Sequence, residues 1–223
     1  MATESRTVIV TGSTGALGRA VSSRLSEEGW AVVAVGRGAV DSLPARAARR
    51  LGGVELTDEA ATERAFAGLG DLHGLVNAAG GFVWEKIGRG AKATWDRMYA
   101  LNVATALNAS RAALPLLRRG GAIVNIGAAG AAHAVAGMGA YAAAKSAVLR
   151  LTESLAAELK AEGIRVNAVL PSIIDTPANR ADMPDADFEK WVTPEELAEV
   201  IAFLLSDKAS GITGAAIPVT GRV

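Results

Sequence analysis

Tyr141 and Lys145 are the residues of this chain whose types and spacing most directly suggest chemistry. Four positions apart on a helix, they share one face, and a lysine charge beside a phenol favours the ionised form. A tyrosine drawn below its free pKa of about 10 exchanges a proton with a substrate near neutral pH. The plain alternative is an aromatic and a cation on the exposed side of an alanine-rich helix. The rest of the chain has to decide between them.

A proton-transfer pair needs a reactant brought to it, and the N-terminal segment has the pattern for holding one. Thr7 to Val10 is a β-branched run, followed by TGSTGALG and a helical pattern from Ala16 to Glu28. Strand, glycine turn and helix form a setting for nucleotide phosphates. Gly12, Gly15 and Gly18, with Ser13, Thr14, Ala16 and Leu17 between them, allow a tight turn that leaves N–H groups and a helix N-terminus open to a pyrophosphate. Trp30 to Val35 reads as the second strand and ends in Gly36 and Arg37. No acid stands there to accept from ribose hydroxyls, whereas an arginine suits a 2′-phosphate. NADP(H) is therefore expected over NAD(H), unless Arg37 is an ordinary solvated loop residue. Arg46, Arg49 and Arg50 read as a solvated helix face.

Gly53 to Leu56 is expected as a third strand, and Asp58 as the cap of a helix to about Ala67. Leu72 to Ala78 reads as the fourth strand, opening into Ala79, Gly80 and Gly81, where small residues let backbone approach a ligand. A single long helix is expected from about Thr94 to Arg118, and its Asn102 reads on its own as a buried amide. Gly121 to Gly127 is the fifth strand. The helix of about Tyr141 to Ala161 carries an apolar stripe of Ala144, Val148, Leu151, Leu155 and Leu159. Ile164 to Leu170 is the sixth strand. After Pro171 the pattern breaks down, and the stretch to Trp191 reads as functional or irregular chain. Thr193, Pro194 and Glu196 spell a capping box, and Ala215 to Val219 is the last strand. Strands alternating with helices predict an α/β fold, a single-domain Rossmann-type doubly wound parallel sheet over residues 1–223, with ligands at the strand carboxyl ends.

The bulk composition narrows the function. The chain has 223 residues, 23 basic against 23 acidic, and no cysteine. Zero formal charge gives no pull toward nucleic acid or an anionic membrane. Thiolate metal sites and disulfides are excluded, and His73 and His133 are too far apart in sequence to suggest a metal cluster. The N-terminus lacks a leader pattern, so a cytoplasmic location is expected. The uncharged stretch Ala122 to Ala144 is mostly alanine and glycine, a poor membrane span.

With these motifs in hand, the chain resembles the short-chain dehydrogenase/reductase family over nearly its whole length. The matches are TGSTGALG, the NAAG of Asn77 to Gly80 (Asn77, Ala78, Ala79 and Gly80), Asn102 in LNV, the pair Tyr141 and Lys145, and Pro171 with Thr176 after strand six. The resemblance implies Tyr141 as general acid/base, Lys145 as the residue that holds the nicotinamide ribose and lowers the tyrosine pKa, and Asn102 as support for a proton-relaying water. It also implies Ile174 and Thr176 at the carboxamide. Cofactor contacts are placed as well at Glu55 and Leu56.

The chain departs from the family at three places. Ala16 stands where the second glycine is usual, and Ala78 where a second asparagine is usual. The catalytic serine is expected thirteen residues before the tyrosine, and Ala128 stands there. The missing hydroxyl predicts an activated or imine-like acceptor over an ordinary ketone, because losing one oxyanion donor costs on the order of 100-fold or more in rate. In motif detail the segment Gly137 to Trp191 resembles dihydropteridine reductase-like members, which points to a quinonoid dihydropterin. A carbonyl reductase or alcohol dehydrogenase is the alternative, and a catalytically weak nucleotide-binding regulatory protein is a further one. His133 is a candidate replacement donor. Residues 177–191 are expected as a substrate lid, presenting Asn179, Met183, Phe188 or Trp191. The partners expected are a small-molecule substrate and a second copy, as homodimer or homotetramer.

Overall fold

The computed structural model describes residues 6–223; the first five residues of the N-terminal stretch read for a leader lie outside them. Seven parallel strands form one sheet: β1 (Thr7–Thr11), β2 (Ala31–Val35), β3 (Arg49–Leu51), β4 (Leu72–Asn77), β5 (Leu117–Ile126), β6 (Arg165–Pro171) and β7 (Ala216–Val219). Their spatial order is β3-β2-β1-β4-β5-β6-β7. The order reverses between β1 and β4, and a ligand crevice opens at the carboxyl ends beside such a reversal.

Alternation along the strands builds a core on each face. Val8 and Val10 of β1, with Val76 and Val124, pack under α1 (Ala16–Glu27) and α7 (Pro194–Leu205) through Leu17, Val21, Leu25, Leu197 and Ile201. Ile9, Leu75 and Ile123 point the other way. They meet α2 (Glu59–Phe66), α4 (Thr105–Ala113) and α5 (Gly139–Glu158) through Phe66, Ala109 and Leu155. This is a Rossmann-like doubly wound α/β fold. The Thr193 capping box forms as its sequence spells, with Pro194 at the first helical position. At the other end of α7 the buried Arg165 donates to the carbonyls of Leu204 and Ser206, satisfying acceptors that a helix end leaves open.

Four boundaries differ from those expected. The third strand is Arg49–Leu51, not residues 53–56. A Cβ on Gly52 would stand 2.6 Å from the Val40 nitrogen. That crowding turns the chain out of the sheet, and Gly53 and Val54 donate back to Gly38 and Gly36. Arg49 and Arg50 therefore lie on an exposed edge strand, not a helix face, and charge there blunts edge pairing.

The long helix is interrupted. It begins as α3 (Lys92–Tyr99), loosens into a π turn at Ala100–Ala104 and resumes as α4. The cause is at hand in Asn102, whose amide donates to Met98 O and Gly81 O, competing with regular helix bonding. The fifth strand starts earlier, at Leu117, because Leu72 and Leu117 pair ahead of a register shift. The stretch after Pro171 is not irregular throughout. Thr176 caps α6 (Pro177–Asp182), and a 3₁₀ turn follows at Phe188–Lys190.

Candidate active site

The Gly-rich turn is shaped by backbone crowding. Gly12 has φ of 65°, and a Cβ there would stand 2.7 Å from the Ala79 nitrogen. A Cβ on Gly18 would be 2.3 Å from Gly12 O. The turn thus packs directly against the Ala78-Ala79 backbone and against the first turn of α1, leaving a cradle that only glycine fits. Beside it runs a cleft of ≈180 Å³, lined by Gly12, Thr14, Gly15, Gly36, Arg37, Glu55, Leu56, Ala78, Ala79 and Gly80 together with Leu101 and Thr105. Small residues, open N–H groups at a helix N-terminus and an arginine at the far wall suit a dinucleotide. Gly36, Leu101 and Thr105 are not among the cofactor contacts expected from the sequence, and only their places beside Arg37 and Asn102 hint at them.

The side chains of Ser13, Leu17 and Asn77 turn away from the cleft, whereas Glu55 stays in its lining. Ser13 is fully buried, its hydroxyl bonded to Val10 O at 2.7 Å. Leu17 packs into the core under α1. Asn77 turns inward from the cleft and donates to Asn125 Oδ1 at 2.8 Å and Ser110 Oγ at 3.1 Å. Glu55 accepts from Thr57 at 2.7 Å; this bond, with a smaller contribution from Arg37, holds its carboxyl below the usual range.

At the next stretch of strand ends, α5 presents Tyr141 and Lys145. Lys145 is buried, and its Nζ donates to Ile126 O at 2.8 Å, the last residue of β5. A Cβ on Gly80 would lie 2.8 Å from Asn102 Oδ1 and 3.5 Å from Lys145 Nζ, so the three residues converge on one gap. Tyr141 packs against Met98, Val103 and Ala144. Burial pushes its phenol up to about 12 and pushes the Lys145 ammonium down to about 8. This corrects the expected lowering of the tyrosine. The lysine nitrogen stands 5.9 Å from the ring centroid and is engaged with a carbonyl, so loss of water around the phenol prevails.

Ala128 follows β5 two residues beyond Ile126 and is buried, with no hydroxyl to offer. His133 lies in the exposed 132–136 loop. An aromatic mouth that the sequence reading missed flanks Tyr141. Phe82 meets the Tyr141 ring edge-on at 5.0 Å and 86°. Trp84 covers Gly137, and the Glu85 N–H fixes this loop to Gly137 O at 2.8 Å. The available signal was the aromatic run Gly81-Phe82-Val83-Trp84 directly after a strand end.

Residues 177–191 are firmly anchored. Thr176 caps α6, and Asn179 donates to Ile174 O at 2.8 Å. Ile174 bridges to Val192. Asp175 pairs Arg180 with two bonds of 2.6 and 2.7 Å, Arg180 covers Phe188, and Phe188 packs at a tilt against the buried Trp191. The C-terminal tail ties down the same stretch through Arg222 N to Lys190 O. Met183 ends α6 half-buried, and Pro171 ends β6 buried. A groove of ≈810 Å³ between α1, α6 and α7 is larger than the cleft, but it contains neither Tyr141 nor Lys145.

Residues 12–221 match the family described as Enoyl-(Acyl carrier protein) reductase. The chain is 42% identical over 189 residues to an inactive 2-(S)-hydroxypropyl-CoM dehydrogenase 2 of Xanthobacter autotrophicus, covering 76% of this chain and 82% of that one. It is 31% identical to dehydrogenase/reductase SDR family member 4 of Oryctolagus cuniculus, over 97% and 92%. Among solved structures, BdcA in complex with NADPH superposes with a TM-score of 0.89 at 30% identity, over 97% of this chain and 93% of that one. None of the three names a pterin, so that finer part of the expected resemblance has no support among them. A profile match of this extent, beside the turn and the pair just described, shows that the chain belongs to the short-chain dehydrogenase/reductase family of NAD(P)-dependent oxidoreductases.

Proposed function

We propose that the chain is an NADP(H)-dependent reductase of a small activated acceptor, imine-like or quinonoid, with Tyr141 as proton donor. The observation that carries this is the convergence of Gly80, Asn102 and Lys145 beside Tyr141, with Ala128 in place of a hydroxyl. The Gly12–Gly18 turn, Arg37 and the Ala78–Gly80 backbone fit a dinucleotide and would hold it. When bound, the reduced nicotinamide supplies the hydride.

The chain's own residues do the remainder. Burial keeps the Tyr141 phenol protonated through neutral pH, the state required of a donor in reduction. Lys145 stands where a positive charge offsets developing phenolate, and Ile126 O holds it in place. Asn102 is itself fixed to Gly81 through both amide atoms, so its position is set before substrate arrives. Without a donor at 128, negative charge on a ketone oxygen has less support. An acceptor that delocalises the incoming electrons, or already carries a proton, needs that donor less. Quinonoid dihydropterin is one member of this class.

Two other readings each have a specific support. The relative named for a 2-(S)-hydroxypropyl group favours a secondary alcohol or its ketone. Its inactivity, together with Ala128, favours a nucleotide-binding protein with weak chemistry. A panel of ketones, quinones, imines and pterins, run with NADPH and NADH, separates them. Turnover of imine-like or quinonoid acceptors, lost in Tyr141→Phe, supports the proposal; turnover of ketones alone supports the second reading, and no turnover the third.

A self-associating enzyme also fits the surface, since Ile87, Trp95 and Tyr99 are large, apolar and exposed beside α5. A homodimer or homotetramer by scattering is the expected state, and a monomer at micromolar concentration counts against it. No helix among the described residues is long and apolar enough to cross a membrane.

A further inference from the structure

Beyond β4 the chain runs from Gly81 to Glu85 as a short arch beside the start of α5, where Tyr141 stands. Both feet of the arch are fixed. Gly81 exchanges two hydrogen bonds with the Asn102 amide, its N–H donating to Oδ1 at 3.2 Å and its carbonyl accepting from Nδ2 at 3.0 Å. At the other foot the Glu85 N–H donates to Gly137 O at 2.8 Å, and the Glu85 carboxylate accepts from Ala91 N at 3.1 Å. Phe82, Val83 and Trp84 lie between, and extended backbone sends successive side chains to opposite sides. Val83 packs inward against the cluster of Met98 and Val103. Phe82 and Trp84 face outward, 53% and 56% exposed.

Trp84 is seated on Gly137, which has φ of 82° and where a Cβ would fall 2.1 Å from the indole. With the arch held there, Phe82 meets the Tyr141 ring at 5.0 Å. Phe82 is thus wet on one side and set against the phenol ring on the other. Charges around that ring are few. Lys145, on the same helix, is engaged with Ile126 O. On the arch, Glu85 turns to Ala91 N and Lys86 stands 5.9 Å over Trp84. Met98 is the buried residue of α3, whose Lys92, Asp96 and Arg97 are exposed, and His133 stays in its exposed loop. Burial is the cause that moves the phenol, so whatever covers the ring governs its proton.

We propose that Phe82 is a positioning residue acting through Tyr141: clasped by the arch, its ring keeps water from the phenol and holds the proton there until an acceptor arrives. The proposal rests on the reading of Tyr141 as proton donor. An apolar cover disfavours the phenolate and leaves the neutral phenol unaffected, so removing the cover frees the proton to leave into water.

The chain has two tyrosines, Tyr99 and Tyr141, and Tyr99→Phe leaves Tyr141 as the one tyrosine that titrates. In that background a rapid jump to about pH 10.5, just above the ordinary tyrosine value of about 10, is followed by tyrosinate absorbance before the chain unfolds. The parent should give little fast signal. Phe82→Ala should raise it at least about threefold, and Phe82→Leu, which keeps an apolar cover, should stay near the parent. In steady-state reduction the decline of kcat at high pH should begin at a lower pH in Phe82→Ala, with the cofactor KM changed less than about twofold. An unmoved absorbance in Phe82→Ala overturns the proposal, as does an equal gain in Phe82→Leu, which would show a loosened fold and not a lost cover. A full fast signal in the parent also overturns it, since the phenol would then be open to water with Phe82 in place. Full turnover in Tyr141→Phe would instead overturn the donor reading, and with it the role of Phe82 in the reaction. Phe82 is half-exposed, so Phe82→Ala should fold, and unchanged near-ultraviolet circular dichroism at neutral pH verifies that.

Discussion

The Gly12–Gly18 turn and the Tyr141–Lys145 pair both sit at strand carboxyl ends, yet they are specified in opposite ways. The turn is fixed by what its residues lack: added Cβ atoms at Gly12 and Gly18 would meet backbone within 2.7 and 2.3 Å. The pair is fixed by what surrounds it: burial alone moves the phenol up and the ammonium down. Local spacing therefore suffices to find the first, while the second takes its chemistry from the tertiary fold. Each variant below disturbs one side of that contrast.

The largest effect belongs to the pair. Tyr141→Phe removes the proposed proton donor and should lower kcat by about 10²- to 10⁴-fold on any substrate the enzyme turns over. Steady-state kinetics measure the loss, and cofactor titration should change less than about twofold, since the Gly-rich turn is untouched. A comparable loss of cofactor affinity would merge the two regions into one.

Next is the titration of Lys145 in the ligand-free protein. Its folded pKa of about 8 lies below the ordinary lysine value. Between about pH 8 and 10.5 the unfolded chain then holds a proton that the folded chain lacks, so stability rises with pH across that window by about 3 kcal/mol. Tyr141 acts in the opposite sense. Its raised pKa means the folded chain keeps a proton that the unfolded chain loses, so stability falls from about pH 10 to about 12. Urea midpoints against pH should show the rise, and Lys145→Met should abolish it. An unaltered slope in that variant would mean that burial is not what sets the ammonium.

Breaking the turn should come third. Gly18→Ala improves helix propensity by about 1 kcal/mol, but the new methyl meets the rigid Gly12 carbonyl, and overpacking costs about 1–3 kcal/mol. The net expectation is a destabilised protein whose cofactor affinity falls at least about tenfold, measured by denaturation and by binding. The smallest effect is far from both regions: Thr193→Ala removes the α7 cap and should cost about 1 kcal/mol of stability, with kcat unchanged.

The same contrast marks what the sequence could reveal. Glycine spacing, strand alternation and the Thr193 box are rules of short range, and the elements they predict appear at or near the expected places. The third strand lies earlier than its pattern predicts because the crowding at Gly52 involves Val40, twelve residues away. The break at Asn102 depends on Gly81 across the cleft, which no periodicity records. The anchoring of residues 177–191 needs Arg180, Phe188, Trp191 and the C-terminal tail to meet in space. Tyr141 was legible as a residue, but the sign of its pKa shift was not, because spacing reports the neighbouring charge and says nothing about buried surface. Phe82 escaped for a similar reason: its edge contact with Tyr141 joins segments about sixty residues apart.

The central claim is that Tyr141 donates its proton in a site lacking the hydroxyl at 128, which suits activated acceptors. The most direct test is Ala128→Ser, assayed with NADPH on a ketone and on a quinonoid or imine-like acceptor beside the unaltered protein. Ketone reduction should rise by about 100-fold, while reduction of the activated acceptor changes by only a few-fold. Fast ketone turnover by the unaltered protein, with no gain from the added serine, would contradict the claim.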